Sequence, residues 1–144
     1  MAETMSPRLA AIVQALPLRP GMRVLEIGCG PGVAARAVLH RIPAGHVLAI
    51  DRSAKAIAQA TARSAAELAT GRMEFRCVAV EDLVLRDGEA PFDLAFAVRV
   101  GALDGRHPAA GRLAMARLRT VLAHDGRLFI DGGDPLVELA LDGD

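Results

Sequence analysis

The run Val24-Leu25-Glu26-Ile27-Gly28-Cys29-Gly30-Pro31-Gly32 sets a carboxylate and three alternating glycines at the end of an apolar stretch. Such a run reads as a buried strand, a tight turn and the start of a helix. Because glycine has no Cβ, a turn of this kind brings backbone N–H groups close to a ligand. Glu26 adds chemistry of its own, since a carboxylate ending an apolar strand costs free energy unless it is paired or faces a ligand. Val47-Leu48-Ala49-Ile50-Asp51 is a second apolar strand with an acid at its tip. A glycine turn after one strand and a carboxylate after the next is how doubly wound sheets hold an adenosine ribose.

The spacing also discriminates between ligands. A dinucleotide fingerprint places its third glycine three residues after the second, and that position here is Val33. The glycines fall instead at 28, 30 and 32, preceded by Glu26. This E-x-G-x-G-x-G pattern resembles motif I of the class I S-adenosylmethionine-dependent methyltransferases. The resemblance implies S-adenosylmethionine as cofactor, with S-adenosylhomocysteine as its product and no metal. It implies that Glu26 helps to hold the methionine amino group, with Gly28, Cys29 and Gly30 forming the turn beside it. Asp51 would accept hydrogen bonds from both ribose hydroxyls, and Arg52 would flank the adenine.

Two later strand tips extend the resemblance. Cys77-Val78-Ala79-Val80-Glu81-Asp82-Leu83 is similar to the family segment G-D-A-E-D-L, with Val78 in place of the glycine and Ala79 in place of the acid. With that acid replaced, the adenine amino group is left to Glu81, Asp82 or a backbone carbonyl, while the amide of Val80 or Glu81 would serve a ring nitrogen. Phe92-Asp93-Leu94-Ala95-Phe96-Ala97-Val98 is similar to the family's F-D-L-V strand, where the carbonyl near Ala97 would accept from the methionine ammonium. Asp93 has a second reading, as an acid that orients the turn of the first tip. Methyl transfer needs a base only when the nucleophile must lose a proton. The catalytic residue is therefore open. His107 is the candidate, because it follows the fourth strand where members of the family approach their acceptor; Asp104 and Arg106 are the neighbouring alternatives.

These tips need a scaffold to align them. Ser6-Pro7 starts a helix with Leu9, Ile12, Val13 and Leu16 on one face. Strands are expected at 23–27, 46–50, 73–80, 92–98 and 127–130. Between them lie a helix with Ala34, Ala37, Val38 and Ile42 inward, and a second capped by Ser53 with Ala54, Ile57, Ala58, Thr61, Ala65 and Leu68 inward. A third spans 109–122 with Ala114, Leu118, Val121 and Leu122 inward. Alternating strands and helices give a parallel sheet with helices on both faces. The expected fold is therefore α/β, a three-layer αβα sandwich around a mostly parallel, doubly wound sheet of about five strands. A single domain over 1–144 is expected, with an N-terminal helix or lid over 1–20, a core over 21–131 and a short tail over 132–144.

Composition narrows the function classes. The chain has 144 residues, of which 52% are apolar, and 17 basic residues balance 17 acidic ones. No long-range field draws such a protein to a nucleic-acid backbone or an anionic membrane. Tyr and Trp are absent, and Phe75, Phe92, Phe96 and Phe129 all fall in strand-like segments, as core rather than stacking platforms. Cys29 and Cys77 suggest a reducing compartment, and His40, His46, His107 and His124 lack zinc spacing. The apolar run Leu9 to Leu18 is too short and too interrupted for a span or signal peptide, so the cytoplasm is the expected location.

The family's sheet continues past the fifth strand into a helix and an antiparallel strand pair. The residues after Ile130 are too few for that unit, so the pair is expected to be reduced or absent. Either a homodimer or a tail folded along the sheet edge would then cover the fifth strand. The leading reading is a methyltransferase acting on a small-molecule acceptor. The alternative is a non-catalytic module with a methyltransferase-like fold that binds cofactor or a partner; Val33 disfavours a nicotinamide oxidoreductase.

Overall fold

Local sequence starts each element where its caps fall. In the computed structural model, which describes residues 4–141, Ser6 accepts the Leu9 amide at 3.2 Å and Pro7 begins α1 (Pro7–Ala15). Residues 1–3 and 142–144, the outer ends of the expected N-terminal segment and tail, lie outside the described residues. The chain continues through β1 (Arg23–Ile27), α2 (Val33–Leu39), β2 (His46–Asp51), α3 (Ala54–Arg63), α4 (Ala65–Ala69) and β3 (Met73–Cys77). A 3-10 turn (Val80–Asp82) precedes β4 (Phe92–Ala97), α5 (Pro108–Val121), β5 (Leu122–Asp131) and β6 (Leu136–Leu139).

The strands form one six-stranded sheet in the order β3-β2-β1-β4-β5-β6. The first five run parallel and β6 runs antiparallel to β5. Side-chain alternation divides the core into two layers. Val24, Val47, Ala49, Leu94 and Phe96 face α1 and α2, and Leu25, Leu48, Ile50, Ala95 and Leu128 face α5 and the 3-10 turn. Strand order reverses between β1 and β4, so the tips of those strands splay into a crevice there.

The structure corrects several expectations. The third strand ends at Cys77 rather than 80, because Val80 turns inward in the 3-10 turn and is buried. The long helix after Ser53 is two helices broken at Ser64, whose buried hydroxyl accepts from the Arg36 guanidinium at 2.8 Å. That bond rotates the inward face: Ala60 and Ser64 are buried, whereas Ala54, Ala58, Thr61 and Ala65 are exposed. Asp125-Gly126 does not precede β5 but bulges within it, between the pairs Phe92–Leu122 and Leu94–Arg127. One expectation holds: the tail folds along the edge of the fifth strand, as β6, pairing Leu128 with Leu139 and Ile130 with Val137. An Arg127–Glu138 ion pair at 2.8 Å ties the two strands. No helix among the described residues is long and apolar enough to cross a membrane.

Candidate functional site

The crevice at the reversal of strand order is a cleft of about 350 Å³, within the usual range of roughly 300–1,000 Å³ for small-molecule sites. Ile27 and Gly28 floor it from β1, Ile50 and Asp51 from β2, Val80 and Glu81 wall one side, and the segment 99–107 walls the other. Larger hollows lie between α2 and α4, about 680 Å³, and beside β5 and β6, about 780 Å³. Neither is lined by a strand tip of the parallel sheet, so neither collects the chemistry that the tips carry.

Asp51 is the hinge of the first two tips. Its Oδ2 accepts the Gly30 amide at 2.9 Å and its Oδ1 accepts the Ser53 amide at 2.9 Å. Each carboxylate oxygen has lone-pair capacity beyond one such bond. Ser53 itself caps α3 through the Ala56 amide, at 3.1 Å, so Asp51 is left to face the cleft. The Cys29 amide donates to the Ile50 carbonyl at 2.9 Å, which clamps the glycine turn to β2 a second time.

The glycine positions answer to close packing. A Cβ on Gly32 (φ +89°) would stand 2.8 Å from the Arg36 guanidinium and 3.3 Å from both Ala60 and Phe75. Gly32 thus lets the start of α2 settle against α3 and β3. A Cβ on Gly28 (φ +69°) would meet the Val100 side chain at 2.7 Å, so the turn and the far wall of the cleft touch.

Glu26 is 3% exposed beneath α2. The Ala35 amide bonds to its carboxyl, yet Oε1 has no hydrogen-bond partner among the described residues. Burial, reinforced by the nearby Asp51 carboxylate and opposed by the Ala35 amide and Arg36, pushes its pKa up to about 8. Burial likewise raises the Cys29 thiol, helped by Glu26 and Asp51. Burial thus favours the protonated form of both groups.

The far wall is a compact turn held by polar bonds. Arg99 sits at φ +58°, with its amide donating to Asp131 Oδ1 at 2.9 Å and its carbonyl accepting from Arg106 Nη2 at 3.1 Å. Arg106 also pairs with Asp104 at 2.9 Å. The second oxygen of Asp131 accepts from Arg8 of α1 at 2.8 Å, so the tip of β5 ties α1 to this turn. His107, at the head of α5, donates its amide to the Gly101 carbonyl at 3.1 Å, and its ring lies over Gly101 at the cleft.

Of the residues singled out from sequence, Gly28, Asp51, Arg52, Val80, Glu81 and His107 share the cleft wall. Glu26 lies behind it in β1 and Cys29 and Gly30 in the turn, and Ala97 is buried between Ile27 and Ile130 in the sheet. Asp93 does not orient the first turn. It accepts the Arg23 amide at 2.9 Å at the opposite end of β1, because a second residue of β4 aligns with the start of that strand rather than its tip. Arg8, Arg99 and Asp131 were not anticipated. Asp131 carried a signal, since Leu128-Phe129-Ile130-Asp131 is a third apolar strand ending in an acid. Among the described residues no group of three His, Cys, Asp or Glu side chains is placed to hold a metal.

Comparison with known proteins gives the arrangement a context. The methyltransferase domain family matches residues 24–126. The protein-L-isoaspartate O-methyltransferase of Methylorubrum populi is 38% identical over 133 residues, covering 88% of this chain and 52% of that protein. Nocamycin O-methyltransferase of Saccharothrix syringae is 34% identical over 124 residues, covering 81% of this chain and 40% of that protein. The chain thus spans about half the length, or less, of these curated relatives. The crystal structure of an S-adenosylmethionine-dependent methyltransferase from Thiobacillus denitrificans, in complex with S-adenosyl-L-homocysteine, aligns at a TM-score of 0.65 and 24% identity. It covers 90% of this chain and 50% of that one, and at this identity it shows the fold.

Proposed function

We propose a function from one premise: the chain belongs to the methyltransferase domain family, of the class I, S-adenosylmethionine-dependent kind. On that premise the domain transfers a methyl group from S-adenosylmethionine to an oxygen of a small-molecule acceptor. The observation that carries this reading is Asp51, fixed by two backbone amides at the rim of a cleft of nucleoside size. The residues fit the group. Asp51 keeps acceptor capacity for two ribose hydroxyls, and Arg52 stands beside it. The Val80 and Glu81 segment offers backbone groups to an adenine ring, and the buried Oε1 of Glu26 awaits a donor. Cys29 and Gly30 shape the turn, and the carbonyl of Ala97, the last residue of β4, is the proposed acceptor for the methionine ammonium.

When bound, S-adenosylmethionine supplies an electrophilic methyl on a sulfonium, and the C–S electron pair stays with sulfur as the acceptor atom bonds to carbon. The chain's own part is to orient the two reactants and exclude water. His107, which lines the same cleft, is the proposed base for an acceptor that must lose a proton. The oxygen acceptor follows the names of the two relatives, both O-methyltransferases. We read residues 1–144 as one such domain and place it in the cytoplasm, with free Cys29 and Cys77 supporting a reducing compartment. A homodimer would use the outer edge of β6, where Val137 is 40% exposed; sedimentation as a single monomer at micromolar concentration excludes it.

Calorimetry tests the cofactor. S-adenosylmethionine and S-adenosylhomocysteine should bind and NAD should not. Asp51→Ala should weaken S-adenosylhomocysteine by roughly 1–3 kcal/mol, the worth of two typical hydrogen bonds. Unchanged affinity in that variant removes the ribose assignment. Tight NAD binding without a response to either sulfur nucleoside removes the methyltransferase reading.

A further inference from the structure

We propose that Arg99 binds a carboxylate of the methyl acceptor, so that the acceptor is a carboxylic acid. The inference rests on the methyl-transfer reading above and adds the substrate class. Three observations carry it.

The first is backbone geometry. Arg99 is a non-glycine residue at φ +58°, a conformation that L residues hold only where the surroundings impose it. Here they do so from both sides, since Asp131 holds its amide and Arg106 holds its carbonyl. The strained backbone is thus fixed while the side chain is left to be presented.

The second is where that side chain stands. Arg99 lines the cleft together with Gly28, Val100 and His107, on the wall opposite Val80 and Glu81. It also borders the shallow hollow formed by Arg8, Leu9 and Val98 at the end of α1. Asp51 lines the same cleft, so a reactant held by Arg99 shares it with the nucleoside that Asp51 is proposed to bind.

The third is charge. Two acids beside Arg99 are already engaged, Asp131 by Arg8 and by the Arg99 amide, and Asp104 by Arg106; Asp51 and Glu81 line the same cleft. The Arg99 guanidinium has no acidic partner among the described residues. A planar fork of donors at a cleft wall matches a carboxylate in a bidentate manner. A carboxylate also suits the chemistry. It reaches the site deprotonated at neutral pH, so its oxygen can attack the methyl carbon without surrendering a proton, and His107 is not called upon.

Titration calorimetry on the full chain saturated with S-adenosylhomocysteine tests this, with glutarate as probe and glutaramide as its uncharged counterpart. Glutarate should bind at least tenfold more tightly than glutaramide. Arg99→Gln should weaken glutarate at least fivefold while S-adenosylhomocysteine affinity stays within threefold, and Arg99→Lys should recover part of the loss. Arg112→Gln, which removes an exposed arginine on α5, should leave glutarate binding unchanged. Equal glutarate affinity in Arg99→Gln and the parent, with S-adenosylhomocysteine still bound, overturns this inference alone, as does a parent that does not bind glutarate. A parent that fails to bind S-adenosylhomocysteine overturns the methyl-transfer reading and this inference with it.

Discussion

Glu26 shows how a single side chain can be costly to the fold and useful to the site. Its carboxyl is buried, with Oε1 unpartnered among the described residues and its pKa pushed up to about 8. The folded state therefore holds this proton more tightly than the unfolded chain does. Glu26's contribution to stability is fully present below about pH 4.5 and is lost as the pH rises toward about 8. Glu26→Gln should remove that slope and raise stability near pH 8 by on the order of 3 kcal/mol, read from urea unfolding at several pH values. A parent whose stability is flat from pH 5 to 8 would contradict the placement. Glu26 and Asp51 were visible in the sequence because each interrupts an apolar run at its end. Arg99 was not, because a lone arginine after a strand gives no local sign that Asp131, far along the chain, will hold its amide.

Elements were legible wherever neighbouring residues decide them. Ser6-Pro7 and Ser53 set two helix starts, and both caps form as expected. The second helical face was misread because its rotation depends on a residue from another element: Arg36 of α2 bonds both the Pro31 carbonyl and the Ser64 hydroxyl. Gly32 is the point on which that assembly closes. Gly32→Ala places a methyl against the Arg36 guanidinium, Ala60 and Phe75 while forcing a positive φ on an L residue. The cost should be about 2–5 kcal/mol, the sum of backbone strain and overpacking, measured as a lower urea midpoint with an unchanged slope. A loss below about 0.5 kcal/mol would mean that α2 shifts freely on α3.

At the scale of the whole molecule, the sheet is a frame that brings four separated tips to one crevice. β1 lies between β2 and β4, so the glycine turn meets Asp51 on one side and the Arg99 turn on the other. Asp131 adds a tie from β5 back to α1. A ligand that occupies this crevice binds only the folded chain, and it therefore stabilises the whole unit. S-adenosylhomocysteine at a hundred times its dissociation constant should add about 2.7 kcal/mol and raise the melting temperature by roughly 5–10 °C. Asp51→Ala should show a smaller rise at the same ligand concentration. A rise equal to that of the parent would place the ligand elsewhere.

The amino-acid sequence by itself determined the periodicity of the strands, the glycine turn, the acids at the tips and hence the family. Each of these is a property of contiguous residues. Tertiary structure decided the rest: that the tail becomes an antiparallel sixth strand, that α3 breaks at Ser64, and that Arg99, Asp131 and Arg8 form one corner of the cleft. Those outcomes rest on hydrogen bonds between residues far apart in the chain. Such bonds become favourable only once the sheet has closed and buried their partners together.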